Sequence, residues 1–411
     1  MALFGKWFGG SAREAAPVPP DRAEIVAALL AEVRALGCEG ELRVEGNYLF
    51  IDEGAGVVRH VFLGNFAAEY ALATPTERHA VIARYARLTV RPVRVASSDL
   101  RTRLLPKLAV RREREQLRLR VGSDAAVTNL MTGRPIADGH LMIDLAVDDP
   151  ETIRTVLPSD LAACRLTEEA AYVCALANLR ARSGGQWHEI VPGLLLSPWA
   201  DFWDGARLAL PSLFRGLPIK GDPIVVVPNR CAVLVTGSEE PDGLAALYRA
   251  TRSLMTKERP VFVSPLRLDG DHWRPIIHLV DRGTIRIAPS LMFLSSLQDT
   301  LDYGACESLV HDRLTGWGFD RVGLVGTLEA QDVLMTVTEC GPGARVAIPK
   351  TDMVSFDLGH RSALVAWYKV EQMLGSDLVP LDIWPSYFEL RRHPREDEVA
   401  PLETPRRARA N

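Results

Sequence analysis

Two stretches of this chain match each other in residue type and spacing, and such an internal duplication constrains the architecture more than any single motif. The first copy runs from Pro228 through an apolar strand with Val233 and Val235, a turn at 237–242, a helix with Leu244, Leu247 and Tyr248, and then Pro260 and Pro265. The second runs from Pro349 through Val354 and Phe356, a turn at 358–362, a helix with Leu364, Trp367 and Tyr368, and then Pro380 and Pro385. Tyr248 and Tyr368 precede their two prolines by the same intervals, 12 and 17 residues. Each copy reads as a strand, a capped amphipathic helix and a second strand, with Asp242 and Ser362 at equivalent N-cap positions. The helix faces expected to meet their sheets are 244, 247, 248, 251 and 254 in one copy, and 364, 367, 368, 371 and 374 in the other.

Ahead of the duplication the pattern changes. Pro17, Pro19 and Pro20 mark residues 1–20 as a flexible leader. Asp21 then suits a helix N-cap, with Ile25, Val26, Leu29, Leu30, Val33 and Leu36 on one face and Gly37 as a stop. Strand-like runs at 41–44, 48–51 and 57–63 follow, and helical patterns near 65–72 and 77–88 close the unit. The predicted fold class is therefore α+β, or mixed α/β: a small N-terminal α-βββ-αα domain at 21–95, then two related β-α-β repeat units. Between them lies a basic connecting and strand segment at 96–160. The first repeat domain is placed at 161–285, the second at 286–390, and a disordered tail at 391–411.

A length of 411 residues fits two or three domains, and 47% hydrophobic with 24% charged residues is ordinary globular composition. The formal charge of -4 gives no overall pull toward nucleic acid or an anionic membrane. One local asymmetry stands out: between Arg87 and Arg120 there are eleven Lys or Arg against three acids. Arg101, Arg103, Lys107, Arg111 and Arg112 form its candidate anionic-partner patch, set against the alternative of a solvated, ion-paired face. Aromatic residues are absent from 88–121, so the stacking platform of a single-strand binder is missing and a protein partner ranks ahead of nucleic acid. Six scattered cysteines without a C-x-x-C pair suggest neither a disulfide framework nor a zinc ribbon, and fit a cytoplasmic setting. No apolar run reaches the roughly 18 residues needed to span a bilayer.

No catalytic signature emerges. His188-Glu189 opens like the helical zinc-protease motif, but Pro192 stands where the second histidine ligand belongs. Asp269-Gly270 reads as a hairpin turn, and Glu168 and Glu169 as acids in the first turn of a helix capped by Thr167. The segment from Trp199 to Leu208 is the most polar one adjoining apolar structure. Its Asp201, Asp204 and Arg207, with Asn229 and Arg230 after Pro228, form a candidate ligand-binding or partner-binding group. Two carboxylates beside an arginine suit a metal or a positioned water; they equally suit a helix cap and an ion pair with Arg207. No histidine or third carboxylate lies close in sequence, so no metal and no cofactor is assigned.

The chain resembles the YtpQ-like family of uncharacterised bacterial proteins over residues 21 to about 276. The segments carrying the likeness are 61–65 (Val-Phe-Leu-Gly-Asn), 104–106 (Leu-Leu-Pro), 175–179 (Ala-Leu-Ala-Asn-Leu), 204–208 (Asp-Gly-Ala-Arg-Leu), 227–230 (Val-Pro-Asn-Arg), 235–238 (Val-Thr-Gly-Ser) and 266–270 (Leu-Arg-Leu-Asp-Gly). The resemblance implies bacterial origin and a shared fold, and lends no catalytic residue. Cys231 stands where the family pattern implies an acid, and the second repeat looks like an addition to that pattern. The functional expectation is a non-enzymatic adaptor, chaperone-like or regulatory protein-binding module. The alternative is a hydrolase or phosphate-ligand enzyme using Asp201, Asp204, Arg207 and Asn229.

Overall fold

Helix α1 (Arg22–Ala35) shows how the N-terminal residues fold. Ile25, Leu29 and Val33 recur every four residues, forming a stripe that packs on Leu49, Ile51, Phe66 and Val81. Gly37 then adopts a φ of +87°, which lets the Cys38 amide reach back to the Val33 carbonyl at 3.3 Å and close the helix end. The antiparallel meander β1 (Glu41–Glu45), β2 (Tyr48–Asp52) and β3 (Val58–Phe62) follows, and α2 (Leu63–Leu72) and α3 (Arg78–Val90) complete the unit. The computed structural model describes residues 22–46, 48–52, 58–90, 99–121, 132–149, 152–255, 260–276, 289–330 and 333–404. The leader at 1–20 and the Asp21 cap lie outside them. The chain divides into two compact units, Met1–Val95 and Ala96–Asn411, each α+β.

The second unit begins with a one-turn helix (Leu100–Arg103) and a sheet of β4 (Leu104–Val110), β5 (Arg134–Ile136), β6 (Leu141–Asp149) and β7 (Thr152–Thr155), in which β4, β5 and β7 all pair antiparallel with β6. Helix α4 (Arg111–Val121) follows β4 directly. Helix α5 (Glu168–Ala181) starts where expected: Thr167 accepts the Ala170 amide at 3.2 Å.

Six antiparallel strands come next: β8 (His188–Val191), β9 (Leu194–Leu196), β10 (Pro223–Asn229), β11 (Ala232–Gly237), β12 (Phe262–Asp269) and β13 (His272–Pro275), in the order β13-β12-β10-β11-β9-β8. The central β10 and β11 are apolar on both faces because both faces are covered. Val225, Val227, Val233 and Val235 join one core with Phe214 and Trp273. Ile224, Val226 and Leu234 join another with helix α6 (Pro241–Met255) and helix α7 (Pro289–Gly316).

Two further four-stranded sheets complete the unit. Strands β14 (Arg321–Val322), β17 (Val346–Pro349), β20 (Leu378–Pro380) and β21 (Tyr387–Leu390) form one, in the order β14-β17-β21-β20. Strands β15 (Val325–Ala330), β16 (Val333–Cys340), β18 (Met353–Asp357) and β19 (Ser362–Ala366) form the other, in that order. Helix α8 (Trp367–Leu374) follows β19. Among the described residues no helix is long and apolar enough to cross a membrane.

The duplicated stretches do not share one element order. The first is β11, α6, β12, as expected, but α6 begins at Pro241 and the Leu244 amide bonds the Glu240 carbonyl at 2.8 Å. Asp242 is therefore inside the first turn, not the cap. In the second, 362–366 is strand β19, paired along its whole length with β18, and α8 starts five residues after Ser362. Ser362 caps nothing, and the buried face of α8 is Trp367, Val370 and Leu374, while Tyr368 and Glu371 point outward. The cause is local: Ser-Ala-Leu-Val-Ala alternates in burial and suits a half-covered strand. The tail at 391–411 also needs correction over 391–404. Arg392 pairs with Asp377 and Glu398, and Val399 of the one-turn helix Glu396–Val399 is fully buried.

Candidate functional site

Asp201, Asp204 and Arg207 converge on one turn at 199–204, between β9 and a short 3-10 segment at Gly205–Ala209. Asp204 is fully buried and organises the loop. One oxygen accepts the Ser197 hydroxyl at 2.5 Å and the Ala200 amide at 3.4 Å, and the other accepts the Asp201 amide at 3.0 Å. Ser197 in turn exchanges hydrogen bonds with the backbone of Val233, which fastens the loop to β11.

Arg207, also fully buried, makes a two-pronged bond to Asp201, with both N–O distances 2.8 Å. Its Nε donates to Ser183 Oγ at 3.0 Å, and Nη2 also donates to the Arg182 carbonyl at 3.1 Å. A cation therefore sits at the C-terminal end of α5, where the helix dipole favours it. The guanidinium carbon lies 3.9 Å from the Trp199 ring centre, so the arginine stacks as well as pairs. Burial works to raise the Asp201 carboxyl, but the Arg207 hydrogen bonds and charge outweigh it and hold it below its ordinary value. Burial pushes Asp204 up despite the Ser197 bond. All three charged groups thus bond within the protein, Asp201 and Arg207 to each other and Asp204 to the Ser197 hydroxyl and two backbone amides.

The product of this network is the backbone shape. Ala200 and Phe202 both have positive φ, +48° and +66°, in a region that side chains rarely occupy. The loop's hydrogen bonds hold them there, and Phe202 stands 58% exposed at the tip. Phe202 carries no sequence signal: Phe-Trp in a turn looks like core until the backbone is known.

The other two members of the sequence-derived group lie elsewhere. Asn229 closes the β10–β11 hairpin, accepting the Cys231 amide at 2.9 Å and donating to the Leu254 carbonyl at 3.3 Å. Arg230 is at the hairpin tip beside a small cleft with Arg112, Glu113 and Pro260.

The candidate patch residues Arg101, Arg103, Lys107, Arg111 and Arg112 differ in exposure and in partner. Arg101 is exposed, while Arg103 donates to the Asp148 carbonyl at 3.2 Å. Arg111 pairs with Glu115 and lies over the Trp384 ring. Arg112 is 5% exposed, bonded to Asp302 of α7 at 3.2 Å and to the Pro260 carbonyl at 2.7 Å. Its place in an anion-binding surface is therefore corrected: it is an internal tie. A strand followed at once by a helix turns successive side chains in different directions, which divides a charge run that is continuous in sequence.

Lys107 lies directly across from Asp144 in the β4–β6 ladder, yet its Nζ donates to Thr155 at 3.1 Å. Asp144 is 2% exposed and one of its oxygens has no hydrogen-bond partner among the described residues. Burial raises Asp144 to about 6, against the charges of Lys107 and Arg114. Lys107 keeps some solvent contact but is crowded by protein, and that crowding, then the Arg230 charge, lowers its pKa. Since Asp144 binds its proton more tightly when folded, its stabilising contribution is complete below the ordinary value of 3.8 and is lost as pH rises through about 6. Asp144→Asn should therefore gain on wild type between pH 4 and pH 7, by on the order of 2 kcal/mol. Urea melts across that range test this; a wild-type-to-variant difference that does not change with pH would refute it.

Among the described residues no group of three or more His, Cys, Asp or Glu is placed to hold a metal ion. Compared with known protein families, curated proteins and solved structures, the chain matches none.

Proposed function

We propose that this is a non-enzymatic partner-binding module, of the adaptor, chaperone-like or regulatory kind, and that Phe202 is an anchor for a protein partner. The observation that carries the reading is the pinned turn: buried Asp204 and the Arg207–Asp201 pair hold two non-glycine residues at positive φ and leave an aromatic ring in solvent. A preorganised aromatic that inserts into a partner's apolar pocket loses little conformational freedom on binding. The hydrolase alternative is less well supported, because Asp201, Asp204, Arg207 and Asn229 all bond within the protein. Kinship with the YtpQ-like family and a bacterial cytoplasmic setting belong to the same proposal; six free cysteines suit a reducing compartment.

Phe202→Ala should leave the melting temperature nearly unchanged, since the ring is mostly exposed. In pull-downs from the native host at moderate salt, wild type should retain a stoichiometric protein partner that the variant binds at least tenfold more weakly. Equal retention by the variant, or no stoichiometric partner for wild type, overturns the reading.

A further inference from the structure

The hairpin β15–β16 ends its sheet, and β15 is an edge: it pairs with β16 along all six residues, and its other side pairs with no strand among the described residues. Proteins usually protect such edges with lysine, proline, a bulge or a covering segment. Strand β15, Val-Gly-Thr-Leu-Glu-Ala, has neither lysine nor proline, and its register with β16 is unbroken.

The two faces of the hairpin differ in chemistry. One face carries Leu334, Thr336, Thr338 and Cys340, all buried, and α7 packs against this hairpin. The opposite face carries Leu328 and Val333, 41% and 43% exposed, with Met335 and Val337 partly exposed beside them. Leu324, just before the strand, is 50% exposed. Gly326 lies on the same face as Leu328 and, among the described residues, has only Val337 within 4 Å of where a Cβ would sit, which leaves a notch at the rim. This is an apolar strip beside a row of backbone donors and acceptors that no strand among the described residues pairs with.

Charge selects the occupant. Glu329 lies on the first face of β15, next to exposed Thr327, and is itself exposed with no ion pair among the described residues. A strand added beside β15 presents alternate residues to the two faces. Apolar residues on one side would cover Leu328 and the Gly326 notch, and basic residues on the other would meet Glu329. A second copy of β15 fits this poorly, because the strand contains no basic residue to set opposite Glu329.

We propose that the free edge of β15 binds an extended segment of a partner protein in which apolar residues alternate with lysine or arginine. This site is separate from Phe202, so the two readings can fail independently.

The test uses the full chain and two labelled, end-blocked octapeptides, (Lys-Val)4 and (Glu-Val)4, in fluorescence anisotropy at physiological salt. The lysine peptide should bind and the glutamate peptide should not. Leu328→Lys should weaken binding of the lysine peptide at least tenfold, Glu329→Lys should shift preference toward the glutamate peptide, and Phe202→Ala should bind like wild type. Both strand substitutions are at exposed positions, and matched circular dichroism melts verify their folding. The proposal is overturned if both peptides bind equally or neither binds, or if Leu328→Lys has no effect. It is also overturned if sedimentation shows a dimer that Leu328→Lys dissolves and the lysine peptide does not.

Discussion

Arg207→Ala is expected to destabilise the protein by about 3–5 kcal/mol, the largest loss at the candidate site. The side chain is fully buried, and its removal leaves the Arg182 carbonyl and the Ser183 hydroxyl without their donor, opens a void beneath Trp199 and releases Asp201. Asp201 is about one-third exposed and can regain water, so most of the loss comes from packing and from the end of α5. Lysine should rescue little, because it cannot make the two-pronged bond and the stack at once. Urea denaturation of wild type, Arg207→Ala and Arg207→Lys decides the matter; a loss below about 1 kcal/mol for alanine would show that the network is not what holds the turn.

Asp302→Ala should cost a similar amount, about 3–5 kcal/mol. Arg112 and Asp302 are both buried, and alanine would strand the Arg112 guanidinium inside the protein. It would also deprive Gln298 of the acceptor it reaches at 2.8 Å, while Gln298 itself accepts the Val263 amide. The double variant Arg112→Met with Asp302→Leu should recover much of the loss, since removing both charges leaves no unpaired ion. If the single and double variants are equally unstable in the same assay, the damage comes from packing and not from the stranded charge.

Where a segment's partners are close in sequence, its structure was legible. The meander β1–β3 and its helices follow from turn residues and apolar periodicity, and the Thr167 cap of α5 follows from its own first turn. The Asp201–Arg207 pair was also readable as an ion pair, six residues apart. Ser183, Arg182 and Ser197 were not, because partners brought in from other elements leave no spacing in the sequence. Strand β19 resembles the start of a helix in sequence, because five apolar-rich residues carry too little periodicity to separate the two. The first half of helix α7 is hard to read for a related reason: residues 291–298 are covered on most sides, and the buried Ser295, Ser296 and Gln298 among them blur any single stripe. Asp144 is different. It falls on the face of β6 shared with Met142, Ala146 and Asp148, where alternation with Leu141, Ile143, Leu145 and Val147 accommodates a polar residue, so nothing in the local pattern marks it as buried.

Helix α7 runs unbroken for 28 residues, about 42 Å at the usual rise. Along it Ser296 bonds Asp352, Gln298 bonds β12, Asp302 bonds Arg112 of α4, and Tyr303 bonds the carbonyls of Lys350 and Ser386. One inserted residue would turn everything beyond it by about 100° and take these contacts out of phase together. A substitution on α7 disturbs one of these contacts, whereas a change in its length disturbs them all; surface loops accept added residues at little cost, and this rod behaves instead like a toothed shaft whose pitch is set by every part it engages.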